Sequence, residues 1–245
     1  CLPPKTSPMS TNSPIIGIIG GFGADTSAAF CVQLVRHAHT IKPSHPPAFV
    51  VDFVSVPPEL SGKAINGSHE AGALLANEVS SSIARLEKIG VKAVALPCNT
   101  LHLFAKSFVV PPPLHLLHIV DAVLQELHDT GINRIGLLAT QLTVSSRLYA
   151  DRCALVGVQC FTPSEAVQRQ LSEDIEHFVR TGSVSAHIAR TFAAAFDEFE
   201  QERVTAVVLG CTDLSGMLER CDFKAPIICI DSMDVLAKAC AKLCV

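Results

Sequence analysis

The chain has 245 residues, of which 49% are hydrophobic, so it can bury a sizeable core as one large domain or two small ones. A formal net charge of −4 gives no electrostatic reason to bind nucleic acid or an anionic membrane, and no apolar run approaches the ~20 residues of a transmembrane helix. A chain of this length can stabilise itself by its core, so the ten cysteines are not expected to form a disulfide framework, and the absence of C-x-x-C spacing disfavours a zinc site. We therefore expect a reducing, cytoplasmic location.

Predicted strands and helices alternate along the chain from residue 14 onward. Residues 1–12 are rich in Pro, Ser and Thr and are predicted to be disordered, and Met9 could be the native first residue. Strands are expected at residues 14–19, 48–54, 134–139 and 226–231, and just before Cys98 and Cys211. Helices are expected at residues 25–39, 70–89, 164–181, 185–201 and 232–243, with another ending near 128 and a helix and short strand within 148–160. Residues 56–60 are expected to form a loop. The alternation predicts an α/β fold.

Two strand-to-loop segments recur, in the same order, in both halves of the chain. Residues 91–98 align without a gap on residues 204–211, and residues 16–19 align on residues 135–138. This repetition predicts two similar, pseudo-symmetric lobes, each a parallel sheet flanked by helices, with an active site in the cleft between them. We expect residues 13–112 and 223–245 to form the first lobe and residues 113–222 the second.

A cysteine closes each of the strands in the longer repeat. Cys98 and Cys211 should lie at the carboxyl ends of their strands, where ligands bind in open α/β sheets. If the two side chains face one substrate carbon, a thiolate can remove its proton on one face while a thiol returns a proton on the other. Asn99, Thr100 and Thr212 follow directly and could hold a carboxylate and stabilise the developing charge.

Other residues near these strands allow more than one interpretation. The glycine-rich turn at residues 20–23 brings backbone N–H groups to a helix start but is not a complete dinucleotide fingerprint. His102 could belong to a Cys–His hydrolase, although no oxyanion signature accompanies it, so a supporting hydrogen bond is the favoured role. Asp213 is either a helix N-cap or an orienting partner of Cys211. No lysine motif for pyridoxal phosphate is recognisable, so we expect no cofactor and no metal.

Four motifs, in order over nearly the whole chain, are similar to those of one family. They are Ile18-Ile-Gly-Gly-Phe-Gly23, Leu96-Pro-Cys-Asn-Thr-Leu-His102, Leu137-Leu-Ala-Thr-Gln-Leu-Thr143 and Leu209-Gly-Cys-Thr-Asp213. The chain thereby resembles the aspartate/glutamate racemase superfamily, most closely its aspartate racemase branch. The resemblance implies a two-lobe α/β fold, cofactor-independent racemisation by Cys98 and Cys211, and commonly a homodimer. It also implies a set of substrate contacts, namely Gly21, Phe22, Gly23, Asn99, Thr100, Thr140, Thr143 and Thr212.

Three positions depart from the family pattern. Asp213 stands where the family usually has glutamate, Leu142 stands where glycine is usual, and residues 57–61 lack the arginine that suits a side-chain carboxylate. We expect aspartate, or else glutamate, as substrate, with Lys63 or Arg180 in place of that arginine. The alternatives are a related enzyme, such as a hydantoin racemase, maleate isomerase or decarboxylase, and a catalytically silent protein that binds a small acid or a partner protein.

Overall fold

The structure is a computed structural model, and it describes residues 14–65 and 68–244. The predicted disorder of residues 1–12 lies outside the described residues. Within these residues eight strands form two parallel sheets, and helices connect most of the strands.

The first sheet is formed by strands β1 to β4, with the strand order β2-β1-β3-β4. These strands are β1 (Ile16–Gly20), β2 (Phe49–Phe53), β3 (Ala93–Ala95) and β4 (His115–Leu117). The helices of this half are α1 (Ala24–Ile41), α2 (Pro58–Ile65), α3 (His69–Ile89) and α4 (Ile119–Thr130), together with a 3-10 helix (Thr100–Ser107) that follows β3.

The second sheet repeats this arrangement with the order β6-β5-β7-β8. Its strands are β5 (Arg134–Leu138), β6 (Gln159–Phe161), β7 (Ala206–Leu209) and β8 (Cys229–Asp231). The helices are α5 (Gln141–Ser145), α6 (Leu148–Leu155), α7 (Glu165–Thr181), α8 (Ile188–Gln201), α9 (Leu214–Arg220) and α10 (Ser232–Cys244). All strand pairs are parallel, and each sheet places its strands in the same chain order, so the predicted two-lobe α/β class is confirmed.

The sheets do not follow the predicted lobe boundaries at residues 113 and 223. β4 pairs with β3 and so completes the first sheet, whereas β8 pairs with β7 and completes the second. The helix after each of these strands crosses between the lobes, because α4 packs against α6 and α10 while α10 packs against α1. Each lobe thus ends on a strand whose following helix packs in the shared layer.

Three apolar clusters account for the core. The central cluster joins both sheets through residues such as Ile18 of β1 and Leu137 of β5, with α1, α4 and α10 packed around them. Two outer clusters cover the other sheet faces, one beneath α3 and one beneath α7 and α8. Successive strand residues point to opposite faces, so Ile18 enters the central cluster and Ile19 an outer one. Both sheets are covered on both faces, as parallel sheets require.

The sequence patterns missed the short strand β4 and several short helices near the strand ends. The expected loop at residues 56–60 is wrong in its second half, because α2 begins at Pro58. Proline suits a first helical position, where its absent N–H leaves no intrahelical bond unmade. The 3-10 helix, α5 and α9 are also short, and such segments show too few turns for a clear apolar period. Within the described part of the chain, no helix combines the length and hydropathy needed to cross a membrane.

Candidate active site

Cys98 and Cys211 line one cavity at the carboxyl ends of β3 and β7. These two strands hold equivalent positions in the two sheets, so the structure brings together the cysteines that the repeat singled out. The cavity measures about 60 Å³ and draws its wall from both lobes. It is lined by Phe22, Gly23, Ser61, Ala64, Leu75, Cys98, Asn99, Thr100, Leu101, Thr140, Val179, Cys211, Thr212 and Asp213.

The glycine-rich loop after β1 forms one side of the cavity. Gly21 has φ +100°, and a Cβ atom there would lie 1.9 Å from the carbonyl oxygen of Val54, so only glycine fits. The Ser27 hydroxyl accepts a hydrogen bond from the Gly21 N–H (3.0 Å) and donates one to the Gly23 carbonyl (2.7 Å). Phe22 and Gly23 therefore reach the cavity, while Gly21 shapes the turn behind them.

Burial dominates the electrostatics of Cys98. It raises the pKa of the Cys98 thiol to about 11, and the nearby negative charge of Asp213 acts in the same direction. Backbone N–H groups of Leu101 and Thr100 face the sulfur and oppose this rise, because they stabilise the thiolate. The turn that starts the 3-10 helix thus supplies the donors that a thiolate at this position needs.

Asp213 connects Cys211 to the opposite lobe. The Cys211 thiol donates to Asp213 Oδ2 (3.8 Å), and the Thr26 hydroxyl donates to Asp213 Oδ1 (2.5 Å). Burial, followed by the charge of Asp213, raises the pKa of Cys211 well above its ordinary value. Burial also raises the pKa of Asp213, which the bonds from Thr26 and Cys211 partly offset. Asp213 occupies the N-cap position of α9, but its side chain makes no capping bond and is directed to Cys211 and Thr26 instead.

Three threonines hold one another at the border between the lobes. The Thr100 hydroxyl lies 3.0 Å from that of Thr140 and 3.2 Å from that of Thr143, and the latter two are 3.0 Å apart. Thr140 also accepts from the Thr143 N–H and so caps α5. Thr100, Thr140 and Thr212 line the cavity, whereas Thr143 supports the other hydroxyls from behind.

Asn99 is held by two residues that the sequence patterns did not single out. The Tyr149 hydroxyl donates to Asn99 Oδ1 (2.5 Å), and Asn99 Nδ2 donates to Ser232 Oγ (2.9 Å). Ser232 in turn donates to the carbonyl of Leu209, the last residue of β7 (2.7 Å). The residue after one cysteine is therefore tied to the strand that carries the other. Two sequence features could have drawn attention to these residues: Tyr149 is the chain's single tyrosine, and Ser232 directly follows the strand β8.

His102 supports Cys98 from outside the cavity. Its Nδ1 donates to the Cys98 carbonyl (2.8 Å), and its Nε2 accepts from the Ile119 N–H (3.3 Å). The His118 ring packs edge-on at 4.5 Å between centroids. Burial lowers the pKa of His102 to about 3, and His118 adds to that effect. Both ring nitrogens form hydrogen bonds to the backbone, so the imidazole positions the chain around Cys98. It has no free nitrogen to act as the base of a Cys–His hydrolase.

The two cations expected to meet an acidic side chain lie elsewhere. Lys63 and Arg180 line a neighbouring groove with Glu59, and that groove shares only Val179 with the cavity. Over residues 14–65 and 68–244, no cluster of three or more His, Cys, Asp or Glu side chains has a metal-binding arrangement.

The family model described as Asp/Glu/Hydantoin racemase matches residues 19–240. The chain belongs to this family, as its motifs indicated. It is 24% identical over 232 residues to the broad specificity amino-acid racemase RacX of Bacillus subtilis, covering 92% of this chain and 96% of that protein.

Solved structures share the fold. The aspartate racemase of Picrophilus torridus superposes with a TM-score of 0.73 at 23% identity, covering 94% of this chain and 93% of that one. The glutamate racemase of Francisella tularensis, solved with D-glutamate, superposes with a TM-score of 0.66 at 18% identity, covering 95% and 81%. At these identities the likeness concerns the two-lobe architecture.

Proposed function

We propose that this protein is a cofactor-independent amino-acid racemase in which Cys98 and Cys211 act on opposite faces of the substrate's α-carbon. The observation that carries this proposal is the placement of the two thiols on one cavity, at equivalent strand ends of the two lobes. Membership of the racemase family and the similarity to a broad specificity amino-acid racemase support an amino acid as substrate.

The proposed reaction is one deprotonation and one reprotonation. A thiolate takes the α-proton, so the C–H bond breaks, an S–H bond forms, and the electron pair moves into the carboxylate as an enediolate. The opposite thiol then gives its proton to the other face of the carbon and is left as the thiolate. Backbone N–H groups beside Cys98, with the hydroxyls of Thr100 and Thr212, are suited to the substrate carboxylate and its growing charge.

Substrate binding offsets the raised thiol pKa values in this mechanism. Burial and Asp213 disfavour a thiolate in the cavity. An α-ammonium group brings a positive charge close to both sulfurs, and a nearby opposite charge stabilises the ionised form. We expect thiolate formation to accompany binding of the amino acid.

Exchange of the α-proton tests this function. The purified protein is incubated with single L-amino acids in D2O without added cofactor, and loss of the α-proton signal is followed by NMR, with chiral chromatography for the D-enantiomer. We expect exchange together with inversion, unaffected by a chelator or hydroxylamine. Activity that disappears with these reagents and returns with metal or pyridoxal phosphate would contradict a reaction run by two thiols. A hydantoin and maleate in the same panel test the related activities, and sedimentation tests the predicted homodimer.

A further inference from the structure

The helices α2, α3 and α7, of which α2 packs against the other two, contribute a part of the cavity lining that carries no charge. We call it the uncharged wall, and it consists of Ser61 and Ala64 of α2, Leu75 of α3 and Val179 of α7. Ala64 and Leu75 are each only 3% exposed, so they are fixed parts of the core beneath α2 and α3. A substrate whose α-carbon lies between the cysteines extends its side chain either toward this wall or toward the polar residues that hold its carboxylate.

The charges around the cavity are unfavourable to an acidic side chain. Apart from the two thiols, the one ionisable group among the described lining residues is Asp213, which is itself an acid. Lys63 and Arg180 are exposed and line the neighbouring groove together with Glu59. Leu60, in the stretch where the family usually has an arginine, packs into the apolar cluster under α3.

A carboxylate placed against the uncharged wall would lose water without gaining a cation. Removing an ionised carboxylate from water is costly unless a partner charge or several hydrogen bonds replace the hydration, and the charge of Asp213 adds repulsion. An uncharged side chain avoids that cost and gains contact with Ala64, Leu75 and Val179. The wall therefore discriminates by charge, within the limited space that the cavity offers.

We infer that this site selects amino acids with small uncharged side chains over aspartate and glutamate, and that the uncharged wall determines this selection. The inference rests on the proposed racemase function and specifies its substrate class. It replaces the sequence-based expectation of an acidic substrate, since that expectation needs a cation on the cavity wall.

Pairs of substrates with equal shape and different charge test the inference. In the D2O exchange assay, kcat/KM is measured for L-asparagine against L-aspartate and for L-glutamine against L-glutamate, with L-alanine and L-2-aminobutyrate as small apolar substrates and L-lysine as a basic one. We expect kcat/KM for each uncharged member to exceed that of its acidic partner by about 100-fold or more, because a buried carboxylate without a partner charge binds poorly. An acidic or basic amino acid that exchanges fastest would overturn the inference while leaving the racemase function intact. No exchange with any amino acid would contradict the function itself, and with it the inference.

Substitutions on and beside the wall locate the selection. Ser61→Arg adds a cation to the wall, and Ser61→Gln adds comparable bulk without charge. We expect the aspartate-to-asparagine ratio of kcat/KM to be about 10-fold or more higher in Ser61→Arg than in Ser61→Gln. If this first pair fails to fold, Val179→Arg and Val179→Gln form a second pair. Lys63→Gln and Arg180→Gln should leave the ratio unchanged. A fall of the ratio in either, or no rise in the folded arginine variants, would show that the wall does not set charge selection.

Discussion

Thr26 and Asp213 form a 2.5 Å hydrogen bond across the cleft, although 187 residues separate them in the chain. Thr26 lies in the first turn of α1, in the first lobe, and Asp213 follows β7 in the second. The same carboxylate accepts from the thiol of Cys211. A residue of the first lobe, Thr26, thus orients the Asp213 carboxylate, which in turn orients Cys211 in the second lobe.

The first prediction concerns the charge of Asp213. Asp213→Asn removes the negative charge that raises the thiol pKa values of Cys211 and Cys98. The limb of the pH profile of kcat/KM that reports thiolate formation should therefore move to lower pH. Both thiols remain, so we expect the maximal rate to fall by at most about 100-fold. Asp213→Glu keeps the charge and serves as the matched control, whose limb should not move. A limb at the same pH in Asp213→Asn and the wild type would show that the carboxylate does not influence the thiols.

The second prediction separates steric exclusion from backbone strain in the glycine loop. Gly21 and Gly90 both have positive φ, but a Cβ on Gly21 meets the Val54 carbonyl at 1.9 Å whereas nothing lies within 4 Å of one on Gly90. Gly90→Ala should lower the free energy of unfolding by about 1–2 kcal/mol, from strain alone. Gly21→Ala should lower it by more and also reduce activity, because Phe22 and Gly23 must shift. Urea unfolding and the exchange assay measure both effects. Equal losses of stability would mean that the loop relaxes around a methyl group.

The repeat, the strand ends and the family motifs were enough to predict the fold class and to pair Cys98 with Cys211. Those signals are local, since a strand's apolar run and the residues after it lie together in the sequence. Contacts between segments that are distant in the sequence could not be predicted in this way. Nothing in the sequence shows that Tyr149 reaches Asn99, or that Thr26 reaches Asp213, because each pair depends on how the lobes pack.

The side chains that line the cavity could not be predicted from the sequence either. An arginine missing from residues 57–61 was visible in the sequence, and Lys63 or Arg180 was the expected replacement. In the structure α2 begins at Pro58, inside that stretch, and it presents Ser61 and Ala64 to the cavity and Lys63 to the neighbouring groove. The helical period of α2, which begins within the segment predicted to be a loop and extends beyond it, determines which side chains line the cavity.

The third prediction uses the depressed pKa of His102 as a stability probe. In the folded protein this pKa falls from 6.5 to about 3, so on acidification the unfolded chain takes up a proton that the folded chain does not. The stabilising contribution is complete above pH 6.5 and declines as the pH falls below it, by up to about 1.4 kcal/mol per pH unit. His118, with a pKa lowered to about 4 by burial, adds in the same direction.

His102→Gln should make that decline shallower between pH 6.5 and 5, although the variant is less stable at pH 8, where it loses bonds to the Cys98 carbonyl and the Ile119 N–H. Urea unfolding at several pH values measures both slopes. Parallel slopes for variant and wild type would contradict a neutral, buried His102.

The central claim, two opposed bases, is tested most directly by Cys98→Ala and Cys211→Ala. Inversion needs a base and an acid, so either substitution should lower racemisation in both directions by about 10²–10⁴-fold. Cys31→Ala, a cysteine outside the cavity, is the control and should keep its activity.

The deciding measurement uses the two enantiomers of an amino acid with a β-leaving group. Removal of its α-proton expels that group and forms an α,β double bond, a step that needs one thiolate and no acid on the opposite face; the resulting enamine hydrolyses to a keto acid and ammonia, and the keto acid is measured. We expect Cys98→Ala to eliminate from one enantiomer and Cys211→Ala from the other. Elimination from the same enantiomer by both variants would mean that a single base serves this site, and would contradict the opposed pair.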